Sequence, residues 1–245
     1  MSLCNNSNII KGMSFCSLFY GATYLKTAPY IIADEVKTDG CSFMFEKCSN
    51  LKSIDKIDVK KVGYRGFSKM FNNCSSLVNI PSILPATELE RYCYQQMFKN
   101  CTSLVTAPEL PATTLKLYCY SDMFYGCSSL VQAPELPATT LAPSCYSGMF
   151  SSCYSLTQAP SILPATTLAD SCYYQMFLDC SSLVSAPALP ATTLGTSCYN
   201  AMFRNCTSLT EVPSILPATT LSENCYYYMF FGCKSLVRAP YLPAS

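Results

Sequence analysis

The chain repeats itself at an almost fixed interval, and the clearest marker of each repeat is a Met-Phe dipeptide or its Leu-Phe variant. The phenylalanines stand 26 or 27 residues apart, at Phe19, Phe45, Phe71, Phe98, Phe124, Phe150, Phe177, Phe203 and Phe230. A period in this range is typical of stacked-repeat proteins, in which each unit buries its apolar face against its neighbours. Because the pattern runs through the whole sequence, we expect one continuous repeat domain over residues 1–245.

Within each repeat, the spacing of apolar residues predicts a short α-helix of about two turns. In the repeat of Phe98 the apolar positions fall at i, i+3, i+4 and i+7, as Tyr94, Met97, Phe98 and Cys101. Residue types that cap helix N-termini precede this face, at Ser144, Ser171, Ser197 and Asn224. Residue types that tolerate a left-handed backbone follow it, at Gly21, Asn73, Asn100, Gly126, Asn205 and Gly232.

A short strand is predicted after the helix, followed by an extended return segment. Residues 104–107 end at Pro108, which cannot donate a hydrogen bond to a neighbouring strand. Prolines then keep residues 110–115 extended. Parallel stacking of the strands, about 4.8 Å apart, would pair their backbone groups between repeats. We therefore expect an α/β fold, a solenoid of about nine coils with one strand and one helix in each coil.

The repeat consensus resembles that of a known family. Met-Phe-x-x-Cys-x-Ser-Leu-x-x-Ala-Pro-x-Leu-Pro is similar to the leucine-rich repeat of BspA-like bacterial surface proteins, which reads Ala-Phe-x-x-Cys-x-x-Leu-x-x-Ile-x-Ile-Pro. The resemblance covers essentially the whole chain and implies a right-handed leucine-rich-repeat solenoid. It also implies a place on the cell surface or outside the cell and a role in adhesion and protein interaction. The chain departs from the usual form in its longer period and in the Met that precedes the Phe.

The two ends of the sequence give further expectations. No basic segment followed by an apolar one is visible at the N-terminus, so no secretory signal is recognised. The C-terminus stops inside a repeat, and little capping sequence precedes the first one. Since solenoids need polar caps, we expect a fragment of a longer chain, or ends that partners cover.

Most of the 17 cysteines fall in two columns of the repeat. One column, three residues after the Phe, holds Cys48, Cys74, Cys101, Cys127, Cys153, Cys180, Cys206 and Cys233; the other, five residues before it, holds Cys93, Cys119, Cys145, Cys172, Cys198 and Cys225. Free Cys behaves as a small, readily buried apolar residue, so we expect buried reduced thiols. Bridges between stacked coils stay open as an alternative, whereas the spacing does not favour zinc.

Composition argues against several functions. The chain has no His, which removes the commonest general base and the Ser-His and Cys-His nucleophile pairs. Its nine glycines form no phosphate-binding motif. No apolar run approaches the roughly 20 residues of a membrane-spanning helix. We expect neither an enzyme nor a cofactor, a metal site or membrane insertion.

Charge is unevenly placed along the chain. Residues 1–100 hold 12 Lys/Arg and 8 Asp/Glu, a net charge of +4, and residues 101–245 hold 4 and 7, a net charge of −3. The nearest candidate for a nucleic-acid site is a short basic group, which we interpret as solvated surface charge: Lys56, Lys60, Lys61, Arg65 and Lys69. Nucleic acid is not an expected partner.

Positions that differ between the repeats are the candidates for ligand contact, and they form two bands. The first lies on the predicted helix and includes Gln95, Gln96, Asp122, Tyr174, Gln175, Asn200, Tyr227 and Tyr228; the second flanks the predicted strand and includes Glu109 and Glu135. Such Tyr, Asn and Gln mixtures occur in binding surfaces. The leading hypothesis is a non-enzymatic binding or adhesion module for a protein or glycan. The alternative is a structural spacer or assembly component, such as a surface fibre or phage virion protein, with homotypic contacts through its terminal coils.

Overall fold

Parallel strands from successive repeats build one sheet. The computed structural model describes residues 8–243, so the expectation about a signal segment falls largely on residues outside this range. The strands are β1 (Ile9–Ile10), β2 (Ile31–Val36), β3 (Ile57–Val62) and β4 (Glu88–Leu89), and they pair in chain order. In the register, Ile31 faces Ile57 and Val36 faces Val62. Each of these repeats therefore adds one strand beside that of the repeat before it.

Beyond β4 the parallel pairing continues as single-residue bridges. One series joins Thr106 to Gln132, and a second joins Thr114 to Thr140. The strand predicted over residues 104–107 is thus reduced to one bridging residue, because Pro108 interrupts the backbone donors. The longer strands lie instead in the segment interpreted as the return stroke, since β4 aligns with residues 114–115 of the next repeat. The parallel pairing was predicted correctly, but the position of the main strands was not.

The α component of the expected α/β fold is wrong, because residues 8–243 contain no helix. Where the helix was predicted, each repeat has a run of tight turns, which we call the turn run; it covers residues 92–100 in the repeat of Phe98. Every fourth residue of the turn run has a left-handed backbone, with φ of 61° at Tyr92, 56° at Gln96 and 58° at Asn100. An α-helix requires φ near −63° throughout, so these residues interrupt it.

Backbone hydrogen bonding explains why turns replace the helix. The N–H of Met97 donates to Tyr94 within the same repeat (3.1 Å), whereas the next N–H, of Phe98, donates to Met123 of the following repeat (2.9 Å). The two kinds of bond alternate along the turn run. In a helix nearly all these N–H groups would donate to carbonyls of the same helix. In the turn run only every second N–H does so, and the others form a series of hydrogen bonds to the following repeat, which we call the ladder.

The apolar spacing was compatible with both structures. With a period of four, two residues of each turn point inward and the next two point outward. Tyr94 points inward, Met97 and Phe98 form the next inward pair, and Cys101 follows, all with at most 1% exposure. The predicted N-cap residues take a different role, since Ser144 and Ser171 have φ of 55° and 54°. The Gly and Asn residues expected in a left-handed conformation do adopt it, for example Gly126 with φ of 71°.

Two aromatic columns run through the core. The rings of the Met-Phe phenylalanines stack between neighbouring repeats at 5.3–5.6 Å between centroids. A second column of Tyr94, Tyr120, Tyr146, Tyr173 and Tyr199 stacks at 5.7–5.8 Å. The inward leucines and alanines join these columns in one continuous apolar cluster from Ile10 to Met229.

The cysteine columns lie beside the aromatic ones and are reduced. All described cysteines are free, and all but Cys16 and Cys233 are buried. In the column after the Phe, each thiol donates a hydrogen bond of 3.0–3.2 Å to the carbonyl of the preceding repeat's Phe, as Cys127 does to Phe98. These cysteines are therefore donors that link neighbouring repeats as well as small apolar side chains.

Candidate binding surface

A cleft of about 490 Å³ opens between the repeats of Phe98 and Phe124. We call it the first cleft. Its lining comes from two aligned segments, residues 106–111 and 132–137, which follow the bridging residues Thr106 and Gln132. Alanine, proline and leucine make most of the wall, at Ala107, Leu110, Pro111, Ala133, Pro134 and Pro137. Prolines fix the backbone of both segments, so the cleft is preformed, as ligand sites usually are.

Two carboxylates, Glu109 and Glu135, share this cleft at equivalent positions of adjacent repeats. Glu135 is held in place by Ser161, whose backbone N–H lies 3.0 and 3.2 Å from the two carboxylate oxygens and whose hydroxyl donates at 2.8 Å. Glu109 has an exposed side chain with no hydrogen-bond or ion-pair partner in the described part of the chain. The first cleft thus combines apolar walls with one fixed and one unpaired carboxylate.

A second cleft of about 470 Å³ lies three repeats further along the chain. It is formed by residues 185–190 and 211–217, which align with the walls of the first cleft, and it contains one carboxylate, Glu211. Neither cleft is lined by Lys or Arg. The four cations of residues 101–245 lie elsewhere, at Lys116, Arg204, Lys234 and Arg238.

Apolar side chains stand exposed along the same face. Val105, Val131 and Val184 follow the buried leucines of their repeats and are 42–45% exposed. Ile162 and Ile215 occupy the extra position of the 27-residue repeats and are 40% and 43% exposed. We call the surface made by this row and the two clefts the cleft face.

The first predicted band lies on the outward positions of the turn runs, away from the clefts. Gln95, Tyr174 and Asn200 are half-buried there, and none of the band's residues lines either cleft. Gln96 and Asp122 are brought together, since the Gln96 amide donates to the Asp122 carboxylate at 3.1 Å. Gln96, Asp122 and Gln175 also occupy left-handed positions, with φ of 56°, 52° and 54°. The structure therefore keeps the two predicted bands apart.

Near the C-terminus, five aromatic residues fall into two groups: Tyr226, Tyr227, Tyr228, Phe230 and Phe231. Tyr226 and Phe230 continue the core columns, stacking on Tyr199 and Phe203. The outward group is exposed and close-packed, with 4.0 Å between the rings of Tyr227 and Tyr228 and 5.1 Å between those of Tyr228 and Phe231. Arg204 of the preceding repeat lies 5.5 Å from the Tyr228 ring and 5.3 Å from that of Phe231. We call the outward group with Arg204 the aromatic patch.

The short basic group near β3 contacts both carboxylates and aromatic rings. Lys60 pairs with Asp34 at 2.8 Å, Lys61 with Glu88 at 3.4 Å, and Lys56 with Asp58 at 3.4 Å. Arg65 and Lys69 lie over the rings of aromatic residues in their own or neighbouring repeats. Three of the five cations are thus paired with carboxylates, and Arg65 and Lys69 keep their charge beside aromatic rings.

The first cleft was partly predictable from the repeat pattern. Glu109 and Glu135 were candidates because both flank the predicted strand, and the structure places them in one cleft. Thr106 and Gln132 belong to the same band that flanks the predicted strand, and they line the cleft as well. The apolar walls were not predicted, although two Pro-Glu-Leu-Pro segments in neighbouring repeats were visible. Arg204 was also missed. Across residues 8–243, no three His, Cys, Asp or Glu side chains converge as a metal site would require.

Comparisons with known proteins agree with the repeat pattern. A family model described as the BspA type leucine rich repeat region, with six copies, matches residues 16–131, 41–183 and 94–237. Among solved structures, the crystal structure of a leucine-rich repeat protein from Bacteroides ovatus ATCC 8483 is similar at 15% identity, over 98% of this chain and 82% of that one. Its TM-score of 0.31 is too low to carry a structural argument. No curated protein matches the sequence.

Proposed function

The chain belongs to the BspA-type leucine-rich repeat family, and on that basis we propose that it is a non-enzymatic module that binds a protein ligand through the cleft face. In this proposal residues 1–245 form one right-handed solenoid of about nine coils, displayed at a bacterial surface. Leucine-rich repeats generally mediate protein interactions, and stacked repeats offer extended surfaces to their partners.

The observation that carries the proposal is the first cleft. Preformed clefts with apolar walls and a few polar groups are the usual sites of ligand binding, and a volume of about 490 Å³ accommodates one or two side chains of a partner. Exposed Val105 and Val131 extend the apolar surface beside it. The aromatic patch is a second contact area, because Tyr and Arg dominate the binding energy of many protein interfaces.

A matched pair of tryptophan substitutions tests the role of the first cleft. Gln132 and Asn79 are exposed and occupy the same column, but of the two only Gln132 lines the first or the second cleft, and Asn79 lies outside the span between them. Peptides are first selected from a random dodecapeptide phage library on the immobilised protein. We expect Gln132→Trp to weaken their binding by filling the first cleft, and Asn79→Trp to leave it unchanged. Binding is measured by calorimetric titration of the synthetic peptides.

The proposal is wrong if no peptide is enriched, or if enriched peptides bind both variants equally well. A glycan array probed with the same protein provides the other arm. A glycan that binds in place of peptides, and whose binding also falls with Gln132→Trp, would assign the cleft face to carbohydrate. Equivalent circular dichroism spectra and urea midpoints of both variants would show that the fold is retained.

Assembly through the ends of the repeat stack is a second candidate, which the ladder of hydrogen bonds favours. In the repeat of Phe230, alternate N–H groups, such as those of Tyr226 and Tyr228, find no backbone acceptor within residues 8–243. In the repeat of Phe19, the carbonyls of Ser14 and Cys16 likewise receive no backbone donor from that range. Donors at one end therefore match acceptors at the other, and a further repeat of the same kind would pair with either.

Solution mass of the protein tests this second candidate. Head-to-tail association predicts a mass that rises with protein concentration in sedimentation equilibrium. Phe230→Glu should reduce association, because it places a charge at the open end of the Phe column, while Tyr154→Glu, at an exposed position in the middle of the stack, should not. A monomer at all concentrations would exclude homotypic assembly by residues 1–245.

A further inference from the structure

The two clefts repeat the same architecture at a fixed separation, and both are acidic. Glu109 and Glu135 lie in the first cleft and Glu211 in the second, and no Lys or Arg lines either one. The chain from residue 101 onward carries 4 Lys/Arg against 7 Asp/Glu. The first cleft therefore presents negative charge beside apolar surface with no cation in its wall, while the second has the single carboxylate of Glu211, and Arg238 occupies the equivalent position of the following repeat.

Arginine and lysine side chains match this combination. Their alkyl stems pack on apolar surface while the charged group reaches a polar one, so a stem can lie against Ala133 and Pro134. A guanidinium can pair with a carboxylate through two parallel hydrogen bonds, and the unpaired Glu109 carboxylate is available for such a pair. Glu135 adds a second negative charge, which Ser161 already orients.

The separation of the clefts sets the spacing of the ligand's charges. The clefts are three repeats apart, and paired parallel strands stack about 4.8 Å apart, which gives a separation of about 14 Å. An extended peptide rises about 3.4 Å per residue, and its side chains at i and i+4 point to the same side. Four residues therefore span about 14 Å and present two side chains to the two clefts.

We propose that the cleft face binds an extended peptide segment that carries two basic side chains four residues apart, one in each cleft. This inference rests on the proposed function and specifies its ligand. Engaging both clefts with one segment makes the second contact intramolecular, so the paired charges bind more tightly than two separate ones. The attraction decreases with added salt, because the carboxylates are solvent-exposed.

Synthetic peptides of defined charge spacing test the proposal. The probe is an acetylated, amidated nonapeptide of Gly, Ser and Ala with arginine at its third and seventh positions. One comparison peptide carries its arginines at adjacent positions, and another carries the neutral isostere citrulline in place of both. We expect the probe to bind about tenfold more tightly than the citrulline peptide and several-fold more tightly than the adjacent-arginine peptide.

A charge-matched pair of protein variants identifies the carboxylates. Glu109→Gln combined with Glu135→Gln should weaken binding of the probe about fivefold or more while leaving the citrulline peptide unaffected. Glu90→Gln combined with Glu223→Gln makes the same change in net charge at exposed positions outside both clefts, and should change binding by less than about twofold.

Two results would overturn this inference without affecting the proposed function. One is equal binding of the arginine and citrulline peptides while phage-selected peptides still lose affinity for Gln132→Trp. The other is an equal loss in the two charge-matched variants, which would indicate only a general electrostatic field. A third result concerns a cationic chitosan oligomer. If this oligomer binds and loses affinity when Glu109 and Glu135 are replaced, while the arginine probe does not bind, the assignment to a peptide is likewise overturned.

Discussion

Raising the pH above 9 is expected to unfold the protein cooperatively, with a midpoint between about pH 9.5 and 10.5. The cause is the buried thiol columns. Burial raises the pKa of Cys119 and Cys127 from the ordinary value of 9.0 to about 12. Burial also raises the pKa well above 9.0 at Cys93, Cys101, Cys145, Cys153, Cys172, Cys180 and Cys206.

The sign of the effect follows from proton binding. These acids keep their protons in the folded state at a pH where the unfolded chain has lost them, so their contribution to stability is complete below pH 9 and is lost as the pH rises towards their folded pKa values. Each such thiol removes about 1.4 kcal/mol of unfolding free energy per pH unit above 9. A typical domain has a free energy of unfolding of only about 5–15 kcal/mol. Ionisation of the thiols in both columns therefore cancels it within about one pH unit above 9.

Alkaline titration in the presence of a non-thiol reductant measures this transition. Thiolate absorbance and near-ultraviolet circular dichroism should change together, since the thiols titrate only when the packing is lost. Cys119→Ala should reduce by about one the protons released on unfolding. Gradual titration of the thiols with retained tertiary structure, or a fold that persists above about pH 12, would contradict the account.

Truncation of one ring in the middle of the Phe column is expected to have the largest effect of any single substitution. Phe124 is fully buried, and its ring lies 5.6 Å from those of both Phe98 and Phe150. Phe124→Ala removes both ring contacts and leaves a cavity, so we expect a loss of about 3–5 kcal/mol of unfolding free energy. Urea denaturation followed by tyrosine fluorescence measures the loss.

An exposed aromatic residue provides the control for this substitution. Tyr24 is 92% exposed, so Tyr24→Ala should change stability by no more than about 0.5 kcal/mol. Because repeat arrays can unfold in parts, hydrogen exchange should show whether the repeats of Phe98 and Phe150 open first in the Phe124→Ala protein. Similar losses in the two variants would mean that the Phe column does not support the stack.

The repeat pattern was enough to predict the stacking of repeats, the parallel strand pairing and the inward columns. These follow from residues that recur at one position, because a residue such as Phe98 or Cys101 must meet its equivalents in neighbouring repeats. The helix could not be excluded in the same way. Apolar residues at i, i+3, i+4 and i+7 fit both a period of 3.6 and a period of four, and only hydrogen bonds between repeats distinguish them.

The candidate site was harder to predict because its walls are formed by ordinary residues. Ala133 and Pro134 carry no chemical signature, and they make a cleft only through the alignment of two repeats. Glu109 and Glu135 were chosen from the sequence and lie together, whereas Gln96 and Asp122 contact each other and help join their repeats. A position that varies between repeats can therefore serve either the stack or the surface.

The affinity of a phage-selected peptide for Gln132→Trp, relative to its affinity for Asn79→Trp, tests whether this protein binds its ligand through the first cleft. The two variants place the same side chain in the same column of the same face, and they differ only in whether a cleft is filled. Gln132→Trp should bind the peptide about tenfold more weakly or worse, since the new side chain displaces the ligand's anchoring side chain. Equal affinities would contradict the claim that this protein binds its ligand through the first cleft.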